Sequence, residues 1–291
     1  MAGGAMIAGL LHTVPALAPT FDALVSEALP GAHRQHIVDA WMLETAIAEG
    51  VTPAVRDRVA SHLRHLAESG ADAILVTCSS IGEAAEAAAA SLPIPVIRVD
   101  AAMAAEAARL AAAPAAAAPA ENSGVVRPDT PSAPRKAQES WARRIAVLAT
   151  NTATLGPTTR LIEREAAAQG VRADVRATVV EGAAAARAAG DQAEHDRLIA
   201  EAVRAAAAPS DGADGAKPVA ALVLAQASMA PAAESAGVSI PVLTSPAGGI
   251  ARLVEALTPS DPEGADASAN RSPLAGSGGT PASALAPERT A

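Results

Sequence analysis

The sequence contains one cysteine, Cys78, and its position is typical of a reactive thiol. It follows the apolar run AILV, which predicts a buried strand, and it precedes SSIGEAAEAA, which predicts the start of a helix. Backbone N–H groups and the positive end of a helix dipole would lower the pKa of a thiol placed there. We therefore predict a reactive Cys78. The alternative is a packed side chain, because free cysteines are commonly buried.

Small polar residues follow the other predicted strands. In open parallel sheets, ligands bind outside the carboxyl ends of the strands, so these residues are candidates for a binding site. Hydroxyl and amide groups there could hold a substrate carboxylate without an arginine. The predicted substrate-binding residues are Thr13, Thr77, Ser79, Ser80, Asn151, Thr152, Gln226 and Ser228. The alternative for each is a turn or cap, and Ser80 with Glu83 has the spacing of a capping box.

His12 ends the first predicted strand and is the titratable residue expected nearest to Cys78. Imidazole titrates near neutral pH, so His12 is our second predicted catalytic residue, either activating the thiol or acting as another base. The alternative is a histidine bonded to the backbone at a strand end. Two further histidine pairs have i, i+3 spacing but lack a third ligand, so we predict surface histidines and no metal site. These pairs are His33 with His36, and His62 with His65.

An internal repeat places these residues in two similar lobes. IAGLLHTVPALAPTFDALVSEA from Ile7 reappears as IAVLATNTATLGPTTRLIEREA from Ile145. ADAILVTCSSIGEAAEAA, ending in IPVIRVD, is echoed by VAALVLAQASMAPAAESA, ending in IPVLTSP. Repeats of this kind indicate a duplicated structural unit. Two like lobes facing each other would bring both sets of strand ends to one cleft.

Each lobe is predicted to be α/β, with a small parallel sheet flanked by helices. Unbroken apolar strands that alternate with helices favour a parallel sheet covered on both faces. Thr52-Pro53 predicts a helix start, and Asp100 is expected to cap the next helix. Gly248 and Gly249 are read as a strand-to-helix turn.

The predicted boundaries follow shifts in composition. Residues 1–110 form the first lobe, which a helix at 247–257 could complete, and residues 143–257 form the second lobe. The stretch 111–142 reads as a linker or insertion, and 207–218 reads as an Asp/Gly loop. The end of the chain, 258–291, reads as a disordered tail that is too poor in large apolar residues to fold.

Composition excludes several classes of protein. The net charge is −9, and aromatic residues make up 1% of the chain, which argues against nucleic acid as a partner. No apolar run is long enough to cross a membrane, and the N-terminal segment lacks the basic start of a secretory signal, so we expect a cytoplasmic protein. One cysteine cannot form an internal disulfide.

A family resemblance is carried by VTCSSIG at 76–82, by IPVIRVDAAMAAEA, by the opening GLLHTVPALAP and by the mirrored VLAQASMA. These segments resemble the aspartate/glutamate/hydantoin racemase superfamily, and in particular its Asp/Glu racemase family proteins. The resemblance implies two pseudo-symmetric flavodoxin-like lobes, no cofactor, a small carboxylate substrate held by polar residues, and a tendency to form homodimers. It also implies one catalytic cysteine in each lobe, of which the first falls on Cys78.

The second cysteine position falls on Gln226, which departs from the family pattern. Racemisation needs one group to remove the α-proton and another to return it to the opposite face, and an amide can do neither. Two-thiol racemisation is therefore not expected. Three mechanisms stay open: proton transfer or decarboxylation at one face, addition of the Cys78 thiolate to a double bond or carbonyl, and racemisation with a different second base. The rival hypothesis is a non-catalytic protein that binds a small carboxylate.

Overall fold

The computed structural model describes residues 6–113, 141–208 and 218–258. Most of the predicted linker at 111–142, most of the loop at 207–218 and all of the tail at 258–291 except Thr258 lie outside the described residues. Within those ranges, no helix is both long enough and apolar enough to cross a membrane.

The first lobe is built on a parallel sheet with the strand order β2-β1-β3-β4. All four residues of the central strand β3 are buried, as its unbroken apolar sequence predicts. The strands are β1 (Ile7–His12), β2 (His33–Val38), β3 (Ala73–Val76) and β4 (Val96–Arg98). The helices between and after them are α1 (Ala18–Ala28), α2 (Ala40–Glu49), α3 (Pro53–Glu68), α4 (Gly82–Ala89) and α5 (Ala101–Ala112).

The second lobe repeats this order as β6-β5-β7-β8, again all parallel. Its strands are β5 (Trp141–Ala149), β6 (Arg172–Val179), β7 (Val219–Leu224) and β8 (Val242–Thr244). Its helices are α6 (Thr152–Ala168), α7 (Ala183–Ala188), α8 (Gln192–Ala207), α9 (Ala230–Ser235) and α10 (Ser245–Leu257). The predicted pair of α/β lobes with parallel sheets is confirmed, and the strand order matches the start of a flavodoxin-like sheet.

Aliphatic side chains fill both faces of each sheet, but two helices are exchanged between the lobes. Helix α5 buries Met103 and Ala107 against Ile145 and Val223 of the second sheet. Helix α10 returns to the first sheet, where it joins the core around Leu10. The boundary at residue 110 assigned α5 to the first lobe, whereas its buried face belongs to the core of the second. The exchange ties the two lobes together.

Of the three predicted helix caps, one is present. Thr52 caps α3 as predicted, since its hydroxyl accepts a hydrogen bond from the Val55 N–H at 3.3 Å. The capping box at Ser80 and Glu83 is wrong, because α4 has no side-chain cap. Asp100 precedes α5 but does not cap it, since its carboxylate is bonded to Arg98.

The turn predicted at Gly248 and Gly249 is also wrong, because both residues lie in the first turns of α10. A Cβ at Gly248 would lie 2.8 Å from the Cβ of Ala102, and one at Gly249 would lie 2.9 Å from Val99. The two glycines therefore allow α10 to approach α5 and the end of β4 closely.

Candidate functional site

A cleft lies where β3 and β7 end, and residues of both lobes line it. A single turn of 3₁₀ helix follows each strand, at Ser79–Ile81 and at Ala227–Met229. The cavity has a volume of about 30 Å³, which is room for one or two water molecules. A substrate therefore needs the lobes or the lining side chains to move apart. The lining residues are Thr13, Val14, Leu17, Leu43, Thr77, Cys78, Ser79, Ser80, Thr154, Gln226, Ala227 and Ser228.

Cys78 lies on the wall of this cleft and is half-buried. Burial raises the pKa of its thiol above the ordinary value, although hydrogen bonds from the Thr13 hydroxyl and from the backbone N–H groups of Ser80 and Ile81 lower it. The net direction is upward, so the expectation of a lowered pKa is wrong. The backbone donors are present as expected, but the loss of solvent around the sulfur outweighs them.

Two serines after Cys78 bridge the lobes. The Ser79 hydroxyl donates to the Ala225 carbonyl at 3.0 Å. The Ser80 and Thr154 hydroxyls lie 2.9 Å apart, and Thr154 donates to the Asn151 side chain at 3.2 Å. Because the Thr154 hydroxyl donates its only hydrogen to Asn151, the Ser80 hydroxyl must be the donor to Thr154. Both serines therefore use their protons within the protein.

His12 lies beneath the cleft, does not line it, and is fully buried. Its Nδ1 is 2.9 Å from the Thr77 hydroxyl, which donates to the Leu11 carbonyl at 3.2 Å. Its Nε2 is 3.0 Å from Nδ1 of His36, whose Nε2 is 3.1 Å from the Asp22 carboxylate. Burial and the charge of His36 lower the pKa of His12 to about 4.

One protonation pattern satisfies this whole chain of contacts. Thr77 donates to Leu11, so His12 must donate from Nδ1 to Thr77 and accept at Nε2 from His36. His12 is then neutral, and both of its ring nitrogens are already bonded. His36 is exposed, as predicted, and it also connects His12 to Asp22.

In the second lobe, Gln226 occupies the place of Cys78, and its side chain is held by Thr150. The backbone N–H and the hydroxyl of Thr150 both donate to the Gln226 Oε1, at 2.5 and 2.9 Å. Ser228 lines the same side of the cleft and is buried. The second lobe thus presents an amide and a hydroxyl where the first presents a thiol.

Of the ten predicted site residues, seven line the cleft, and His12, Asn151 and Thr152 do not. Asn151 binds Thr154 from the start of α6, and Thr152 is exposed. The predicted site omitted Thr154 and the apolar Val14, Leu17 and Leu43, which line the cleft. Thr154 could have been found as the residue one helical turn after Asn151, whereas Leu43 comes from α2, whose docking the sequence does not reveal.

Ion pairs connect the lobes beside the cleft. Arg160 on α6 donates to both carboxylate oxygens of Glu83, at 2.7 and 2.9 Å. Arg164 makes the same kind of contact with Glu86, at 2.6 and 3.2 Å. Glu83 and Glu86 belong to α4, which follows Cys78, so these pairs hold the two halves of the cleft together.

Within the described ranges, no group of three or more His, Cys, Asp or Glu residues has the arrangement of a metal site. His62 binds the buried carboxylate of Asp39 at 2.7 Å. Arg58 also pairs with this carboxylate and stacks on Trp41, 4.8 Å from the ring centroid. This cluster is an ionic anchor between α2 and α3.

Comparison with known proteins supports the fold. No protein-family model matches the sequence, and neither does any curated protein. Among solved structures, the chain is similar to a glutamate racemase from Bacillus anthracis, with 16% identity, a TM-score of 0.55 and coverage of 86% of this chain and 80% of that one. An aspartate racemase from Picrophilus torridus has 12% identity, a TM-score of 0.54 and coverage of 86% and 93%.

A glutamate racemase from Francisella tularensis, solved in complex with D-glutamate, is similar in the same way. Its identity is 14%, its TM-score is 0.56, and coverage is 86% of this chain and 80% of that one. The architecture is therefore that of the amino acid racemases, as the sequence resemblance implied.

Proposed function

We propose that this protein is an enzyme of the racemase fold that acts on a small carboxylic acid and uses Cys78 to transfer a proton at one face of the substrate. Among the described residues that line the cleft, Cys78 is the only side chain that titrates, and this observation carries the proposal. The solved racemases of the same fold act, by their names, on glutamate and aspartate, which are small carboxylic acids.

A half-buried thiol with a raised pKa suits the role of a proton donor. In a decarboxylation, the C–C bond to the leaving carboxylate breaks, carbon dioxide departs, and the electron pair stays on the α-carbon as an enediolate. The Cys78 S–H then protonates that carbon, and the resulting thiolate recovers a proton from water. The same group could remove and return an α-proton on its own face. Neither reaction needs a second acid or base across the cleft, and we propose no cofactor for either.

His12 does not enter this mechanism as a group that touches the substrate. Both of its ring nitrogens are bonded, and His12 is not among the residues that line the cleft. Its proposed role is to position Thr77, which directly precedes Cys78. A catalytic role for His12, a cytoplasmic location and a homodimer stay predictions of the sequence.

The test is incubation in deuterium oxide with amino acids, hydantoins and substituted malonates, with exchange and turnover followed by NMR. We expect at least one substrate to exchange or decarboxylate, and Cys78→Ser to slow the reaction by about 10²- to 10⁴-fold. If no compound reacts, or if Cys78→Ser reacts as fast as the wild-type protein, the proposal is wrong. Since the chain has one cysteine, the Cys78→Ser protein also serves as the blank for thiol labelling.

A non-catalytic carboxylate-binding protein is the second candidate, and Gln226 favours it because the amide cannot exchange protons with a substrate. A ligand-induced rise in melting temperature would support this candidate if it persisted in Cys78→Ala and if no product formed. Loss of turnover in Cys78→Ala, with binding retained, would support the enzyme.

A further inference from the structure

The orientation of the Gln226 amide is fixed by the atoms around it. The side-chain amide of Gln226 contacts the backbone N–H of Thr150 at 2.5 Å and the Thr150 hydroxyl at 2.9 Å. A backbone N–H can only donate a hydrogen bond. The atom facing Thr150 must therefore be the amide oxygen. Thr150 does not line the cleft, whereas Gln226 does, so the amide turns its oxygen away from the cleft and leaves Nε2 for it.

Nε2 is a donor without a partner in the described part of the protein, where no residue accepts a hydrogen bond from it. It carries two hydrogens and no lone pair that could accept. A group of this kind stabilises an oxygen atom of a ligand and repels an ammonium group. The amide thus gives the second lobe a fixed preference for hydrogen-bond acceptors.

Among the described residues that line the cleft, no side chain carries a charge that would offset this preference. The hydroxyls of Ser79, Ser80 and Thr77 already donate to protein acceptors, as described above, so they offer a ligand only uncharged lone pairs. The Thr13 hydroxyl is buried and, apart from its proximity to Cys78, has no hydrogen-bond partner. No carboxylate side chain is found among the lining residues of the described chain. An ammonium group in this cleft would lose its hydration and find only uncharged acceptors, which is costly, whereas an oxygen acceptor would meet the Gln226 Nε2 donor.

We infer that Gln226, oriented by Thr150, makes the cleft selective for acids whose second polar group is another oxygen acceptor rather than an ammonium group. Malonate-type acids and hydroxy or keto acids belong to this class, and α-amino acids do not. Thr150 is the positioning residue, and Gln226 binds the substrate oxygen on the side opposite Cys78. This inference rests on the proposed function for the location of the site but not for its chemistry.

The test compares methylmalonate with alanine, which share a methyl group and a carboxylate on the α-carbon. They differ in the second substituent, which is a carboxylate in one and an ammonium group in the other. Binding is measured by calorimetry and by the shift in melting temperature. We expect the wild-type protein to bind methylmalonate at least about tenfold more tightly than alanine. Cys78→Ala should keep this preference.

Gln226→Glu has nearly the same shape but replaces the donor with a carboxylate. It should weaken methylmalonate binding by about tenfold or more and favour alanine. Thr150→Val keeps the backbone donor and loses the hydroxyl, so a smaller loss is expected, and Thr150→Ser should restore it. Ser91→Ala, at an exposed hydroxyl remote from the cleft, is the matched control. Melting temperatures without ligand confirm that each variant is folded.

The inference is overturned if wild-type protein binds alanine as well as methylmalonate, if it binds neither, or if Gln226→Glu leaves the preference unchanged. These results are distinct from failure of the proposed function. A preference for methylmalonate without any turnover would remove the enzyme and keep the inference. Turnover of an amino acid through Cys78, with no preference for methylmalonate, would do the reverse.

Discussion

The turn after β3 and the turn after β7 have the same backbone and different chemistry. Cys78 has φ −122° and ψ 116°, Gln226 has φ −125° and ψ 137°, and a three-residue 3₁₀ turn follows each of them. One turn presents a thiol to the cleft, and the other presents an amide. The duplicated fold therefore supplies two equivalent positions, but only the first can exchange a proton with a substrate.

The residues that support the two turns also correspond. His12 ends β1 and Thr150 follows β5 at the same place in the repeat. His12 holds Thr77 beside the thiol, whereas Thr150 holds the Gln226 amide directly. In each lobe, the residue at the end of the first strand therefore positions a residue at the end of the adjacent strand, which is Thr77 for His12 and Gln226 for Thr150. The first lobe performs this task with a titratable ring and the second with a hydroxyl and a backbone N–H.

Cys78→Ser removes the difference between the two turns, because it leaves both halves of the cleft without an ionisable side chain. Proton transfer by a positioned group contributes about 10²- to 10⁴-fold to rates, and a serine hydroxyl holds its proton much more tightly than a thiol. We expect turnover to fall by a factor in that range, as measured by initial rates. An unchanged melting temperature would show that the fold is retained, and an unchanged rate would contradict the assigned role.

The stability of the protein should depend on pH through His12, whereas Thr150 does not titrate. The folded-state pKa of His12 is about 4, below its ordinary 6.5, so the unfolded chain takes up a proton that the folded chain resists. Stability from this source is complete above pH 6.5 and is lost as the pH falls toward 4. A shift of this size corresponds to about 3 kcal/mol.

His12→Gln removes this dependence, so the difference in unfolding free energy between wild type and variant should shrink by about 3 kcal/mol between pH 6.5 and 4. Urea unfolding at several pH values measures it. The charged groups near His12 are His36 and, beyond it, Asp22 with Arg34, and all three are present in both proteins. The exposed His65→Gln is the control. A constant difference across this pH range would argue against a neutral, buried His12.

A smaller effect, on the free energy of unfolding, is expected where the turn after β3 has a smaller residue than the turn after β7. Gly82 corresponds to Ala230 in the repeat, and a Cβ at Gly82 would lie 2.5 Å from Cζ of Arg98. Arg98 is buried and donates two hydrogen bonds to Asp100, at 2.9 and 2.8 Å, so it cannot move freely. Gly82→Ala should lower the free energy of unfolding by about 1–3 kcal/mol.

Gly31→Ala is the matched control for that substitution, because no atom lies within 4 Å of a Cβ at Gly31. Denaturant unfolding of both variants makes the comparison. Equal stability of the two variants would mean that Arg98 does not restrict the turn.

The smallest effect concerns the ion pairs between the halves. Arg160→Gln removes the contact between α6 and Glu83, and exposed pairs contribute at most about 1 kcal/mol. The loss in stability should diminish at high salt. Arg109→Gln removes a similar pair within α5, which does not connect the lobes. If Arg160→Gln alone increases the rate of Cys78 alkylation, these pairs hold the cleft closed, whereas equal rates would contradict that role.

The sequence predicted those features that depend on local pattern. Apolar runs such as AILV located the central strands, and the repeat implied two lobes and brought Cys78 and Gln226 to one cleft. What it missed depends on contacts between distant segments. The pKa of Cys78 rises because the surrounding structure excludes water from its sulfur, which a local argument based on the helix dipole could not include.

The hydrogen-bond partners of several side chains also could not be predicted from the sequence. Ser80 was expected to cap a helix but binds Thr154 in the other lobe, 74 residues away. The contact between His36 and His12 was missed because β2 was not placed beside β1, although His36 is exposed as predicted. A helix at 247–257 that completes the first lobe was considered from the sequence, and α10 joins that core, whereas the placement of α5 on the second sheet has no local sequence signal.

The most direct test of a cleft with one proton donor is the configuration of the product formed from a disubstituted malonate such as 2-ethyl-2-methylmalonate. Loss of carbon dioxide leaves a planar enediolate, and protonation from the Cys78 side alone would give one enantiomer of 2-methylbutanoate. Chiral chromatography of the product measures this outcome. With Cys78 as the sole proton donor we expect a single enantiomer, and a racemic product would contradict that role.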